Sequence, residues 1–422
     1  HYKSTNGGTS WSADGADLHP DIHNHYFLDG KLYVCSDGGL SYRNTGSTNF
    51  VSLAAGLNAL QFYDLDVLGT RIVGGTQDNG TIFWEEGDLV GIRKNCCDGF
   101  DCVYDPDDND TVFTSTQWGK FRSTNNGDTN DLLFLAEWQD PMAYDVSNSN
   151  RIMIHADTVL AISDNDGMTW SLTAPIFSDE NWVHSLTQCA TDPSVAYLAK
   201  QDSIAKTTNL DATASTISFS KWDFGFSEMV RSLLVHPNNC NFLVAVLWGY
   251  SDEQIFVSND GGVNWIPYSQ GIEQLPVYCI VYDHVNTEAF YIGTELGVYY
   301  RSLYMSEWIP FSTYLPRVPV HDMKVTDTHV YAGTFGRGIW KSPGYAVCPS
   351  DLNLTQVNDP TFGGPSGFQI HKASNTLVSN RIIQGGAGTD VLYQADNFVD
   401  LTEGFHAKQF NLFTAKADGC TY

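Results

Sequence analysis

Apolar runs of strand length recur along the chain: KLYVCSD (31–37), RIVGGTQ (71–77), TVFTSTQ (111–117), RIMIHAD (151–157), VAYLAKQ (195–201), NFLVAVLW (241–248), AFYIGTE (289–295) and HVYAGTF (329–335). Their starts lie about forty residues apart, a period that marks a repeat architecture. Inside each repeat a second strand follows a Gly turn, as in GVYYRS (297–302) or GIWKS (338–342), and a polar turn then leads to a Trp-bearing strand. A fourth strand closes on YDP (104–106), TDP (191–193) or VHP (235–237), where proline's missing donor suits a strand exit. Four strands in about 40–50 residues make one propeller blade. The pattern predicts an all-β chain with a seven- or eight-bladed β-propeller over 1–344. Seven repeats fall between about residues 31 and 328. The piece 329–343 supplies front strands and HYKSTNGGTSWS supplies back strands, so the two ends are expected to complete one blade and hide its edges.

The polar turn has a fixed grammar. Ser4–Trp11 reads STNGGTSW, Ser163–Trp170 SDNDGMTW and Ser258–Trp265 SNDGGVNW, all fitting S-x-[DN]-x-G-x-[TSN]-W. STNNGDTN (123–130) is a copy without the Trp. Asn6, Asn165 and Asp260 suit bonding to the turn backbone, Gly8, Gly167 and Gly262 suit positive φ, and Trp11, Trp170 and Trp265 suit packing on the blade. This resembles the Asp-box, or BNR, hairpin found in sialidases, xyloglucanases, sortilin-type receptors and assembly factors. The resemblance implies fold and leaves activity open.

Composition shifts near residue 344. Strand-like pieces alternate with Gly turns over 345–422, which is expected to be a small β-module. The run from Tyr393 to Cys420, with Ala395, Leu401, Gly404, Phe405, Ala407, Phe413 and Ala415, resembles the stacked-strand, three-coathanger modules of secreted Bacteroidetes proteins. The resemblance implies export by the type IX route with the sorting signal removed, and an extracellular or cell-surface location.

The 49 Asp and Glu against 22 Lys and Arg give a net charge of −27, which disfavours nucleic acid and anionic lipid as partners. No apolar run reaches the ~18 residues of a membrane span. The start HYKSTNGG has no signal-peptide character, so a processed form or a fragment is expected. The nine cysteines lack paired zinc spacing. Cys348 and Cys420 bracket the module and are expected to pair. Cys189 and Cys240 lie on turns at equivalent ends of adjacent repeats, and their pairing is expected too. Cys96 or Cys97 with Cys102 would pin a loop, while Cys35 and Cys279 read as buried thiols.

Three histidines fall within seven residues in the segment Asp17, His19, Asp21, His23, His25. Alternation would put all five on one face, where imidazoles and carboxylates suit a metal or a substrate. The alternative is a set of hydrogen bonds at a blade start. Gln77, Asp78 and Asn79 in GGTQDNGT, and Asp98 and Asp101 in CDGFD, are further binding candidates, against a plain capped turn. Residues 17–105 resemble a module of bacterial BNR-repeat proteins labelled glycosidase- or sortilin-like, which carries over no catalytic assignment. YDPDDNDTVF (104–113) offers calcium-type oxygens without a calcium-loop spacing, so calcium is a candidate and no other cofactor is expected. Trp118, Trp248 and Trp308 are candidates for stacking on sugars.

Acids such as Asp21, Asp78, Asp98, Asp101 and Glu295 are present, but sequence offers no pairing of the kind a glycosidase needs. A sialidase arginine cluster, a nucleophile elbow and a phosphate loop are missing. The expected function is a secreted or surface protein, non-catalytic, that binds glycan or protein. The alternatives are a xyloglucanase-like glycoside hydrolase and a self-assembling subunit of an extracellular filament or sheath.

Overall fold

The computed structural model describes residues 1–345 apart from 55, 89, 136–139, 179–181, 227, 273, 285–287, 304 and 313. Beyond 345 it describes 351–354, 368–373, 376–380, 382–383, 390–395, 398–403, 405–407 and 412–416. Two compact units result, His1–Gly344 and Tyr345–Tyr422.

Every apolar run picked out by the repeat is the second strand of an antiparallel sheet. Val112–Thr116, Ala196–Lys200 and Ala289–Thr294 are buried at every position. A strand covered on both faces by neighbouring sheets has no solvent face to alternate with, so it reads as a continuous run. Seven such sheets form a ring among the described residues: blade I at 62–93, II at 99–134, III at 142–172, IV at 183–223, V at 229–267, VI at 277–310 and VII at 320–343. Their first strands pack side by side around the centre, and that of blade VII meets that of blade I. Blade VII has three strands, and the ring closes where Gly336 and Gly338 donate to Leu60 O and Gln61 bridges Phe335.

The polar turns join the third and fourth strands of blades II, III and V. In each, a serine Oγ accepts from the Gly N–H and donates to the Asn or Asp side chain: Ser123 to Asn125, Ser163 to Asn165, Ser258 to Asp260. Trp170 and Trp265 donate from Nε1 to the carbonyls of Gly167 and Gly262 at 3.1 and 3.0 Å. In the copy without Trp, Asn130 Nδ2 makes the same bond to Gly127 O at 3.1 Å. Each turn seats on the preceding blade: a Cβ at Gly127 would meet Phe83, and one at Gly167 would meet Phe113.

The N-terminal segment corrects one expectation. Ser4–Trp11 does form the same turn, with Ser4 Oγ accepting from Gly8 N at 2.8 Å, but its strands Tyr2–Lys3 and Ser12–Ala13 pair only with each other. They do not complete blade VII. They lean on a further four-stranded sheet over 22–52: Asp14 takes both guanidinium nitrogens of Arg43, and His1 stacks on His25 at 5.0 Å. That sheet has the blade pattern yet stands outside the closed ring. Its second strand, Lys31–Ser36, buries only Val34 and leaves Cys35 exposed, where a buried thiol was expected.

Cys189 and Cys240 form a disulfide between blades IV and V. Cys96 pairs with its neighbour Cys97, not with Cys102. Cys102 faces inward, where its Sγ contacts Asp64 Oδ2 at 3.3 Å and Val73 O at 3.6 Å, out of reach of the loop. Cys279 is a buried thiol. Cys348 and Cys420 lie outside the described residues.

The second unit is built of parallel strands. Phe368–Ala373, Asp390–Ala395 and Leu412–Lys416 stack in register on one face, and Asp351–Leu354, Thr376–Ser379 and Phe398–Leu401 on another. Tyr393 and Leu377 are fully buried, and Ser379 Oγ donates to the Tyr393 hydroxyl.

Candidate functional site

The first strand of a blade must turn from the ring face into the centre. In six of the seven blades it does so through a β-bulge at its start. The register slips between Phe62 and Asp64, Gly99 and Cys102, Val183 and Ser185, Val230 and Ser232, Val277 and Cys279, and Val320 and Asp322. A bulge leaves one residue unpaired and re-aims its side chain. The residues so released are Tyr63, Phe100 with Asp101, His184, Arg231, Tyr278 and His321. They meet around the channel mouth. His321 lies 4.4 Å from Tyr278 and 6.4 Å from Tyr63, ring to ring, and Arg231 Nη1 is 3.4 Å from His184 Nδ1.

The rim is set by the turns between second and third strands, which are level with these bulges because Thr116 pairs with Gly99 and Trp248 with Met229. It carries exposed aromatics: Trp118 at 64%, Trp248 at 49% and Tyr250 at 69% of full exposure. Trp308, by contrast, is fully buried and donates to Tyr268 O, so it packs the core and stacks on nothing from outside.

Most acids inside the ring have structural duties. Neighbouring first strands are not a hydrogen-bonded sheet, so their N–H groups need acceptors. Asp64 Oδ2 accepts from Cys102 N at 2.7 Å, Asp66 Oδ2 from Tyr104 N at 2.8 Å, and Asp322 Oδ2 from Leu65 N at 3.1 Å, the last across the closure of the ring. Burial, then the charge of Asp322, pushes Asp64 well above the carboxylate range, so this touching pair holds a proton. Lys324 answers Asp66.

Asp101 differs. Its Oδ2 is buried without a hydrogen-bond partner among the described residues, and burial lifts it to about 6, with Lys120 and Arg231 pulling down and Asp140 pushing up. Burial, then Arg231, pushes His184 and His321 down to about 3, so both imidazoles are neutral at working pH. Among the described residues, His184 Nε2 and His321 Nδ1 have no hydrogen-bond partner. Glu295 at the same mouth accepts from the Tyr278 hydroxyl. The mouth thus combines one guanidinium, the carboxyls of Asp101 and Glu295, two neutral imidazoles and two phenols.

A second cluster sits where the N-terminal sheet meets blade I. One carboxylate oxygen each from Asp21, Asp37 and Asp78 lies within 4.8 Å of the others. His19 Nε2 bonds Asp78 O at 2.8 Å, Asn79 Nδ2 donates to Asp37 O at 3.0 Å, and Asp98 Oδ1 accepts from Asp78 N at 2.7 Å. His23 Nε2 contacts Asp37 Oδ1, and this bond and charge raise the imidazole's affinity for its proton. Burial, then Asp98 and Asp37, raise Asp78. Three such oxygens suit a hard cation.

Of the sequence candidates, His19, Asp21, His23, Asp78, Asn79 and Asp98 converge here. The expected single face for Asp17 to His25 does not form. Asp21 takes φ 56°, and a bulge between Ile22 and Asn24 releases His23, so alternation breaks. His25 goes to His1 instead, and Asp17 accepts from Phe50 N. Gln77 accepts from Tyr63, and Asp101 belongs to the channel. In 104–113 the acids cap their own turn: Asp105 Oδ1 accepts from Asp107 N and Asp108 N, and Asp110 pairs with Arg71. Glycines of GGTQDNGT serve close approach, since a Cβ on Gly75 would lie 1.9 Å from Phe100 O and one on Gly80 2.0 Å from Asn95 O.

Sequence reasoning missed Tyr63, His184, Arg231, Tyr278 and His321. Their signal was present as a repeated apolar residue followed by Tyr, His or Arg at strand starts, in FYDL, VHSL, VRSL, VYCI and VHDM.

No family model matches the chain, and no curated protein does. Solved structures similar to it include an ancestral GH74 enzyme, with a TM-score of 0.55 and 12% identity, covering 69% of this chain and 46% of that one. Raptor of Chaetomium thermophilum follows at 0.52 and 14%, over 68% and 29%. YCF48 from Cyanidioschyzon merolae matches at 0.50 and 7%, over 68% and 95%. These likenesses establish the β-propeller fold. The chain spans less than half the length of the GH74 protein.

Proposed function

We propose that this chain is a non-catalytic binding protein whose propeller mouth takes a glycan. The observation that carries this reading is the set of bulge residues, from six blades, that converge beneath the exposed Trp118, Trp248 and Tyr250. Sugars pair apolar ring faces with hydroxyls, so aromatic walls over mixed donors and acceptors suit them. Acids Asp64, Asp66 and Asp322 are occupied by backbone donors, which leaves them poor candidates for bond cleavage. Disulfide Cys189–Cys240 supports an extracellular or surface setting, as does the pair Cys96–Cys97.

The test is retention on plant, algal and bacterial polysaccharides, with reducing-end release measured on the same samples. Retention without release is expected, with Trp118→Ala plus Trp248→Ala losing most of it. The hydrolase reading has one observation of its own: Asp101, lifted to about 6, has the proton affinity of a general acid. Sugar release abolished by Asp101→Asn would establish that reading in place of ours.

A further inference from the structure

We propose that the channel mouth is built for the carboxylate of an acidic sugar, with Arg231 as its anchor. This rests on the glycan reading above and adds the ligand class. Six arginines are buried or half-buried among the described residues. Arg43, Arg71, Arg122 and Arg151 pair with Asp14, Asp110, Asp166 and Asp164. Arg301 donates to Gln270 and to the carbonyls of Tyr268, Met305 and Ser306. Arg231 has neither arrangement. Its one hydrogen-bond contact among the described residues is the 3.4 Å approach to His184 Nδ1.

That is a costly state to leave uncompensated. A guanidinium carries five donors in a flat fork, and burial of an unpaired charge is unfavourable. Burial indeed works against the Arg231 proton. Acids are plentiful, 49 against 22 bases, so the missing partner is not a matter of supply. The acids nearest by charge, Asp101, Asp322 and Asp64, come from blades II, VII and I, while Arg231 comes from blade V. Asp64 and Asp322 are tied to backbone N–H groups and to each other, which fixes them on their own side of the channel. Beside Asp101, the groups around Arg231 include His184 and His321, whose Nε2 and Nδ1 have no hydrogen-bond partner among the described residues, and the Tyr278 ring lies against His321.

A planar carboxylate meets the fork with two parallel bonds. The imidazoles then take ring hydroxyls, and being neutral they add no competing charge. A neutral sugar would leave the guanidinium without an anion in hydrogen-bond contact. The proton held by Asp64 and Asp322 lowers the negative potential that an incoming carboxylate meets.

The experiment uses the whole chain and three probes in affinity electrophoresis or calorimetry: polygalacturonate, alginate, and polygalacturonate reduced at its carboxyls to the neutral polymer. At least one uronate polymer is expected to bind, and carboxyl reduction should cost at least about tenfold, the worth of one charge-assisted bond. Arg231→Gln should give the same loss, with Arg231→Lys between, since it keeps charge but loses the fork. If Arg231→Gln does not fold, the reduced polymer on the unaltered chain still decides. Binding should also persist from about 10 mM to about 150 mM salt, as the Debye length falls from about 30 to about 8 Å, because the pair is local and the overall charge of −27 repels. Equal binding of the reduced and native polymers overturns the carboxylate inference and leaves the glycan reading standing. Binding of no polymer, acidic or neutral, overturns both.

Discussion

Replacing Asp101 by Asn should stabilise the propeller at neutral pH and do nothing in acid. The carboxyl stands at about 6 in the fold against 3.8 ordinarily, because burial outweighs the pull of Lys120 and Arg231. The folded chain therefore holds this proton more tightly than the unfolded one. Stability is unaffected below the ordinary value, falls as pH rises from about 4 to 6, and stays lowered above. Two pKa units at about 1.4 kcal/mol each set the loss near 3 kcal/mol. Asn imitates the protonated form in shape and never ionises. The assay is thermal or urea unfolding of parent and Asp101→Asn at intervals from pH 4 to 8, following the propeller's tryptophan fluorescence. The two curves should coincide near pH 4 and separate to a plateau above pH 6.5, the variant being the more stable. A variant less stable at pH 8 would mean that Asp101 is held by an interaction its ionised form needs, and a gap that is the same at every pH would mean that its ionisation is not linked to folding; either would refute this account of the channel.

Other outcomes are expected elsewhere in the ring. Gly75→Ala places a Cβ 1.9 Å from Phe100 O and must push blades I and II apart, so it should cost more than about 3 kcal/mol or prevent folding, read by expression yield and urea midpoint. Removing the Cys189–Cys240 link by Cys240→Ser should cost about 2–4 kcal/mol, given the 51-residue separation it closes, and reducing agent should reproduce the loss. Ser258→Ala strips the acceptor from the buried Gly262 N–H and should cost about 1–2 kcal/mol, seen as a lower melting temperature. Asp78→Asn relieves one of three crowded carboxylates and should raise stability slightly at pH 7, an advantage that fades as acid protonates Asp78; a lower melting temperature would show that its charge is needed.

The blades were legible because burial on both faces writes itself as uninterrupted apolar runs, as in AFYIGT at Ala289–Thr294. The turns were legible because a single serine hydroxyl, one carboxamide or carboxylate and one glycine close them by local bonds, which hold even where Asn130 stands for tryptophan. The closure was not legible. Whether the Ser4 turn docks on blade VII or on the 22–52 sheet depends on long-range partners such as Asp14 and Arg43, which no local pattern encodes. Nor was the mouth. A bulge shifts one residue out of alternation, so His184 and Arg231 stood where period-two reasoning expects an ordinary strand position. The acidic cluster was half legible: Asp17–His25 and GGTQDNGT carry candidate chemistry in the sequence, but Asp37, which holds His23, stands apart from both.

The bulge at the head of six of the seven inner strands has a further consequence. Each of those six blades contributes its mouth residue from a site whose backbone is already out of register, so exchanging that side chain disturbs no ladder bond and no neighbour's register. The scaffold thus behaves like a ring of independent sockets. A lineage carrying it can trade one fitting at a time, tyrosine for histidine or histidine for arginine, and change what is recognised while the barrel of supporting sheets stays the same. Loss of one socket need not silence the rest, which makes such a mouth tolerant of drift and quick to acquire new ligands.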